Sequence, residues 1–257
     1  MSKILRVLDT GLASARWPAR WNVAFTAALV AEHAAGAAPD TLRFHRYPAC
    51  VLLGASQQAD AAADLDYCRR AGIEIARRVT GGGAVYMSPR MLAWELVLAR
   101  QPRHTVEDLT ASACTILARA LERLGARARF RSPGDIVIDG RKVSGSAGCA
   151  MGRAIALQGT ILIEDDVAAM AASLRIPEAA LKDAITCLRE DSGQAPSFAR
   201  LQAAITDELA AAWGATLAPS EPTTAELQAA QREFDREIGT DRYALGLDWD
   251  TAARIAS

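Results

Sequence analysis

Lysine is nearly absent from this chain: Lys3, Lys142 and Lys182 are the only three, and arginine supplies the rest of its 29 basic residues. A lysine beside a structured motif therefore stands out. Aromatic residues are equally sparse at 5%, so a core must be assembled mainly from Ala, Leu, Val and Ile, which are abundant. Charge of one sign is lacking too. The net charge of -1 provides no field to draw the protein to nucleic acid or to an anionic membrane. Only three histidines occur, His33, His45 and His104, with no cysteine or carboxylate at ligand spacing around them, which argues against a metal centre held by the protein alone. The five cysteines (Cys50, Cys68, Cys114, Cys149, Cys187) form no CxxC pair and cannot all pair within one chain, so reduced thiols are expected. No apolar run approaches bilayer length, and MSKILRVLDTG is too short and interrupted for a signal peptide. The expected setting is the cytoplasm, without a membrane.

The 257 residues are read as one domain, residues 1–257, with no separate accessory domain. Ile4–Leu8, Leu42–Tyr47, Cys50–Leu53, Ile73–Arg78, Ala84–Tyr86, Leu92–Ala99 and Thr160–Ile163 are predicted to be extended. Asn22–Ala35, Leu65–Ala71 and Thr105–Gly125 carry helical patterns, the second closed by Gly72. Ile136–Ile138 and Arg141–Ser144 flank Asp139-Gly140, a strong hairpin signal. From about residue 165 the pattern becomes a helical C-terminal layer, with Ser197–Trp213 and Thr223–Glu237 clearest and Pro219–Pro222 a candidate linker. The predicted class is α/β (α+β), with mixed β-sheets flanked by helices. Trp17, Trp21, Trp94, Trp213 and Trp249 are read as packing anchors, Trp94 being near enough to the glycine-rich segment to line a pocket.

Two segments carry chemistry. In the first, Arg77-Arg78-Val79-Thr80 runs into Gly81-Gly82-Gly83 and then Ala84-Val85-Tyr86. Glycines let backbone N–H groups approach an anion, and arginine pairs with phosphate or carboxylate oxygens. The segment is no Walker A loop, because no Gly-Lys-Ser/Thr follows, and it does not open a helix as a dinucleotide fingerprint does. In the second, Gly134-Asp135 leads through the hairpin to Lys142, followed by a small-residue Ser144-Gly145-Ser146-Ala147 loop.

RRVTGGGAVY, a gap of roughly fifty residues, then GDIVIDGRKVSGSAG is similar to the lipoate–protein ligase A family, within the superfamily of biotin ligases and octanoyltransferases. Leu53-Gly54-Ala55-Ser56-Gln57, Gln158-Gly159-Thr160 and Asp241-Arg242-Tyr243 extend the resemblance over nearly the whole chain. It implies that Arg78, Thr80 and Gly81, Gly82, Gly83, Ala84, Val85 and Tyr86 surround the acyl chain and phosphate, and that Lys142 is catalytic. It implies ligand contacts at Ser144, Gly145, Gly159 and Thr160, and places Asp135 at the nucleotide or Mg²⁺ end. The implied reaction consumes ATP and lipoate or octanoate, forms the acyl-adenylate, and acylates a lysine of a lipoyl-domain or glycine-cleavage H-like protein. A separate accessory subunit is a further implied partner.

Two positions depart from the family pattern: Met87-Ser88 stands where many relatives carry His-Asp, and Gly134 where they usually carry Asn. An octanoyltransferase working through a cysteine thioester is the main alternative, with Cys149, seven residues past Lys142, as its candidate nucleophile. Relatives that use a cysteine in this scaffold place it upstream of the Asp135 strand, where this chain reads Phe130-Arg131-Ser132-Pro133-Gly134. A non-catalytic module that binds lipoyl proteins is the remaining alternative, and a biotin ligase fits the glycine loop less well.

Overall fold

The computed structural model describes residues 3–246; Trp249 and the end of the expected 1–257 unit lie outside the described residues. The first half contains β1 (Lys3–Asp9), α1 (Gly11–Ser14), α2 (Ala19–Ala34), β2 (Thr41–His45), β3 (Cys50–Leu53), α3 (Ala59–Ala62), α4 (Leu65–Ala71), β4 (Glu74–Arg77), β5 (Val85–Met87), β6 (Met91–Ala99) and α5 (Val106–Arg123). The second half contains β7 (Ala128–Arg131), β8 (Asp135–Ile138), β9 (Arg141–Met151), β10 (Ala154–Leu162), α6 (Val167–Leu174), α7 (Glu178–Ala184), α8 (Leu188–Ser192), α9 (Phe198–Trp213), β11 (Ala215–Ser220), α10 (Thr224–Glu233), a π-helical turn (Phe234–Ile238) and α11 (Asp241–Leu245).

Eight strands form one mixed sheet in the order β11-β1-β2-β6-β10-β9-β8-β7, and β4-β3-β5 form a second, smaller sheet. This is the mixed α/β arrangement the sequence pattern predicts. Alternation along β6 shows how the large sheet divides its two faces. Leu92, Trp94, Leu96 and Leu98 enter a core shared with α5 and α9, whereas Met91 and Ala93 join a second core with the small sheet. The helices have identifiable starts. Thr105 and Asp108 cap α5 reciprocally, Thr223 and Glu226 do the same for α10, and Ser197 caps α9.

The Asp139-Gly140 hairpin is present, with φ of 49° and 81° at its two central residues, as a primed turn requires. Three local readings are corrected. The Ser144–Ala147 stretch is not a loop: β9 continues through it to Met151, paired throughout with β10. Pro219 is not in a linker but in β11, which runs parallel to β1 at the sheet edge, where a missing N–H is tolerated. Thr223–Glu237 is not one α-helix, because the chain widens into the π-helical turn at Phe234.

Candidate functional site

The central strands place a row of residues side by side on one face of the large sheet. His45 on β2 pairs with Ala93 on β6, Ala93 with Thr160 on β10, and Thr160 with Gly145 on β9. The neighbouring row is Arg43, Glu95, Gln158 and Ala147. Small residues in the middle of the first row leave a trough, which opens into a cavity of about 330 Å³. Its walls include the glycine-rich turn on one side and Met170, Leu174 and Leu181 from α6 and α7 on the other. A wider groove of about 710 Å³ lies near His33, Asp40, Arg100 and Arg153 and contains none of the expected site residues, so size does not identify the site.

Arg78 organises the glycine turn from beneath. Its Nη2 donates to the carbonyls of Gly81 (2.7 Å) and Gly83 (2.8 Å), and its Nη1 donates to the carbonyl of Leu52 (2.9 Å). Burial pushes its pKa down to about 10, which leaves the group cationic at neutral pH. The guanidinium thus spends donors on the loop itself rather than standing free for an incoming anion. Gly82 has φ 94°, and a Cβ there would lie 3.0 Å from Arg78 Nη2. Gly54 is more constrained, since its Cβ would lie 2.0 Å from the Gly82 carbonyl oxygen. The neighbouring Arg77 holds the carbonyls of Gly54, Ala55 and Gln57, fixing the segment on which the turn rests.

Lys142 lies on β9 just past the hairpin, its Nζ 2.7 Å from Asp135 Oδ1 and its side chain 39% exposed. The side chain crosses Gly145, where a Cβ would come within 2.4 Å of Cε and 2.6 Å of Nζ. A bulge at Ile136/Val137 in the β8–β9 register accounts for a lysine lying over a residue three positions on. Asp135 also accepts from Arg131 at 2.9 Å. Although burial works to raise the Asp135 carboxyl, the hydrogen bonds from Lys142 and Arg131 outweigh it and hold the group below the ordinary carboxylate range.

Of the residues singled out in the sequence, Lys142, Arg78, Thr80, Gly82, Gly83, Ala84, Val85, Tyr86, Gly145, Gly159 and Thr160 line the cavity. Gly81, Asp135 and Ser144 do not; Ser144 is fully buried and pairs with Ile136 and Ile161. Trp94 lines it as expected, its indole lying across Gly159, where a Cβ would approach to 2.4 Å. Tyr86 donates to Asp166 at 3.0 Å, tying β5 to the start of α6. Both departures from the family pattern acquire a setting. Met87 is an apolar wall residue, and a side chain at Gly134 would meet Ser146 Oγ at 2.9 Å.

A buried polar chain under the trough went unread in the sequence. Thr80 Oγ1 donates to Gln158 (3.0 Å), and Gln158 and Thr26 donate to Glu95 Oε2 at 3.2 and 2.7 Å. Arg43 Nη1 meets Glu95 Oε1 at 3.0 Å. Nη2 and Nε of Arg43 reach Asn22 and Thr10, and its guanidinium lies 4.5 Å from the centre of the Phe25 ring. Arg43 and Glu95 are 52 positions apart, and only the β2–β6 register brings them together.

All five cysteines are free, and none lines the cavity. Burial raises the pKa of every one. Cys149 packs against a separate core cluster that includes Phe25, Leu29, Val30 and Ala156. Among the described residues no group of three or more metal-ligating side chains occurs, and no helix is long and apolar enough to cross a membrane.

Residues 18–210 match the family described as lipoyl protein ligase A/B catalytic domain. An octanoyltransferase LipM of Kyrpidia tusciae is 28% identical, over 88% of this chain and 93% of its own length. Lipoate-protein ligase A subunit 1 of Thermoplasma acidophilum is also 28% identical, over 89% and 92%. A solved T. acidophilum lipoate protein ligase with bound lipoic acid superposes with a TM-score of 0.84, at 24% identity, over 96% of this chain and all of that one, a likeness of fold.

Proposed function

The chain belongs to the lipoyl protein ligase A/B catalytic domain family, and from that premise we propose that it is a lipoate–protein ligase working in the cytoplasm. It activates lipoate, or octanoate, with ATP and passes the acyl group to a lysine of a lipoyl-domain or H-like acceptor protein. One observation carries the choice of ligase over thioester transferase: no thiol borders the trough, and burial disfavours the thiolate at all five cysteines. A thioester route needs a thiolate beside the acyl carbonyl. Without one, a free carboxylic acid needs another leaving group, and adenylation provides it.

In this reading the acyl chain lies along the trough with its carboxylate at Lys142. A carboxylate oxygen attacks the α-phosphorus of ATP, and pyrophosphate leaves. The acceptor amine then attacks the acyl carbon, the bond to the anhydride oxygen breaks, and AMP leaves with that electron pair while the amine loses a proton. Lys142 stabilises charge on the carbonyl and α-phosphate oxygens in both steps. With two turn carbonyls held by Arg78, the N–H groups of the glycine turn are the polar groups offered to an anion. Mg²⁺ suits a site in which nucleotide phosphates supply most ligands, since Asp135 is one carboxylate already paired with two cations. The subunit name of the Thermoplasma relative supports a separate accessory polypeptide as a partner.

The octanoyltransferase relatives support a second reading, transfer from an octanoyl thioester. The two readings separate in one experiment. After incubation with lipoate, ATP and Mg²⁺, an acid quench is expected to yield lipoyl-AMP and pyrophosphate, with the enzyme's intact mass unchanged. An octanoyl adduct on a cysteine after incubation with octanoyl-carrier protein, and no adenylate, would replace the ligase with the transferase.

A further inference from the structure

We infer that His45, backed by Tyr47, closes the far end of the trough and selects acyl chains that end in a hydrogen-bonding heteroatom over chains that end in a methyl. The inference rests on the trough being the acyl site, as in the function proposed above. Lipoate, with dithiolane sulfurs at its far end, belongs to the favoured class and octanoate to the disfavoured one.

The sheet itself sets the length. From Gly145, over which Lys142 lies, to His45 is three interstrand steps, about 14 Å at the usual strand spacing. Side chains at both ends shorten the free span to the reach of a chain of roughly eight carbons joined by bonds of about 1.5 Å. Ala93 and Thr160 between them offer little bulk, so a chain can lie across the strands. His45 and Tyr47 both border the cavity, with rings 5.2 Å apart in an edge-on arrangement that fixes the imidazole.

His45 is the unusual member of this wall. It is 1% exposed, and its Nδ1 is shielded with no hydrogen-bond partner, so Nε2 is the nitrogen left for a ligand in the trough. Burial, reinforced by Arg43, keeps the imidazole neutral, so the ring presents one N–H and one bare nitrogen. Its polar neighbours Arg43 and Glu95 are committed elsewhere. Arg43 donates to Glu95, Asn22 and Thr10, while Glu95 accepts from Arg43, Thr26 and Gln158. A leucine or methionine would complete an apolar wall without enclosing an unpaired nitrogen. A buried polar group left unmatched disfavours a ligand that cannot reach it, and sites built around such groups reject analogues lacking the partner atom. Sulfur and hydroxyl are suitable partners; a terminal methyl is not.

The test uses two acids of equal chain length, octanoate and 8-mercaptooctanoate, titrated calorimetrically into the intact protein without ATP. The wild type is expected to prefer the thiol acid, and His45→Leu to reduce that preference by about tenfold. His45→Gln, which keeps a polar end wall, is expected to retain most of it and guards against a leucine variant that misfolds. A preference ratio unchanged to within twofold in a natively folded His45→Leu protein overturns the inference. Failure to form acyl-AMP while both acids still bind would sink the ligase reading and leave this one standing. Failure of either acid to bind would remove both.

Discussion

Gly145→Ala displaces the Lys142 side chain from its place without changing that residue. The added Cβ would sit 2.4 Å from Lys142 Cε and 2.6 Å from Nζ, distances no folded protein tolerates, so the lysine must leave its place beside Asp135. Leaving costs little stability. The Lys142 side chain is 39% exposed, and ion pairs of that kind contribute up to about 1 kcal/mol. Gly145 lies outside the positive-φ region, so alanine adopts its backbone without strain and returns roughly 0.5–1 kcal/mol in a strand. The net change in Tm is expected to be about 4 °C or less for a chain of this size. Activity should respond differently. Removing a fixed positive group from a developing oxyanion typically costs ~3 kcal/mol, or about 10²-fold in rate. The assay is kcat/KM for acceptor acylation by mass spectrometry, alongside a thermal melt. Lys142→Ala should lose as much, and the double variant no more than either single one, because both act through the same ammonium. Turnover of a natively folded Gly145→Ala protein within threefold of wild type would refute the assigned role of Lys142.

Gly54→Ala directs its Cβ at the Gly82 carbonyl oxygen, 2.0 Å away on rigid backbone, and should cost about 1–3 kcal/mol while abolishing calorimetric acid binding. Glu95→Ala leaves the fully buried Arg43 without its counter-charge, an expected loss of about 3–5 kcal/mol in chemical denaturation, with Glu95→Gln milder. His45 adds a pH dependence. Its folded pKa lies well below 6.5, so below pH 6.5 the unfolded chain takes up a proton that the folded one refuses. Stability present above that pH is therefore lost as pH falls, by up to about 1.4 kcal/mol per unit, and His45→Gln should lack this part of the slope.

Much of the site was legible because its signals are local. Three consecutive glycines after Arg77-Arg78 mark a turn whatever surrounds them, and Asp139-Gly140 fixes a hairpin that carries Lys142. The run from Ser144 to Ala147 reads as a loop because its small residues imitate one. In the fold the stretch is part of β9, whose small residues have two uses: Gly145 makes room for Lys142, and Gly148 lies against Val106 and Leu157. Strand β11 was hidden by Pro219 and by a partner, β1, more than two hundred positions away. Arg43, His45 and Glu95 were illegible as a group. Glu95 is one polar letter in the apolar β6, Arg43 and His45 alternate with Leu42 and Phe44 in β2, and only the pairing of β2 with β6 sets Arg43 against Glu95 and His45 beside the trough.

The most direct measurement is the intact mass of a lipoyl-domain acceptor after incubation with the protein and lipoate, with and without ATP and Mg²⁺. The expected result is one lipoyl group gained on a single lysine only when ATP is present, and gained about 10²-fold more slowly with Lys142→Ala. Acylation without ATP from an octanoyl-carrier thioester, with none from lipoate and ATP, would contradict the ligase account.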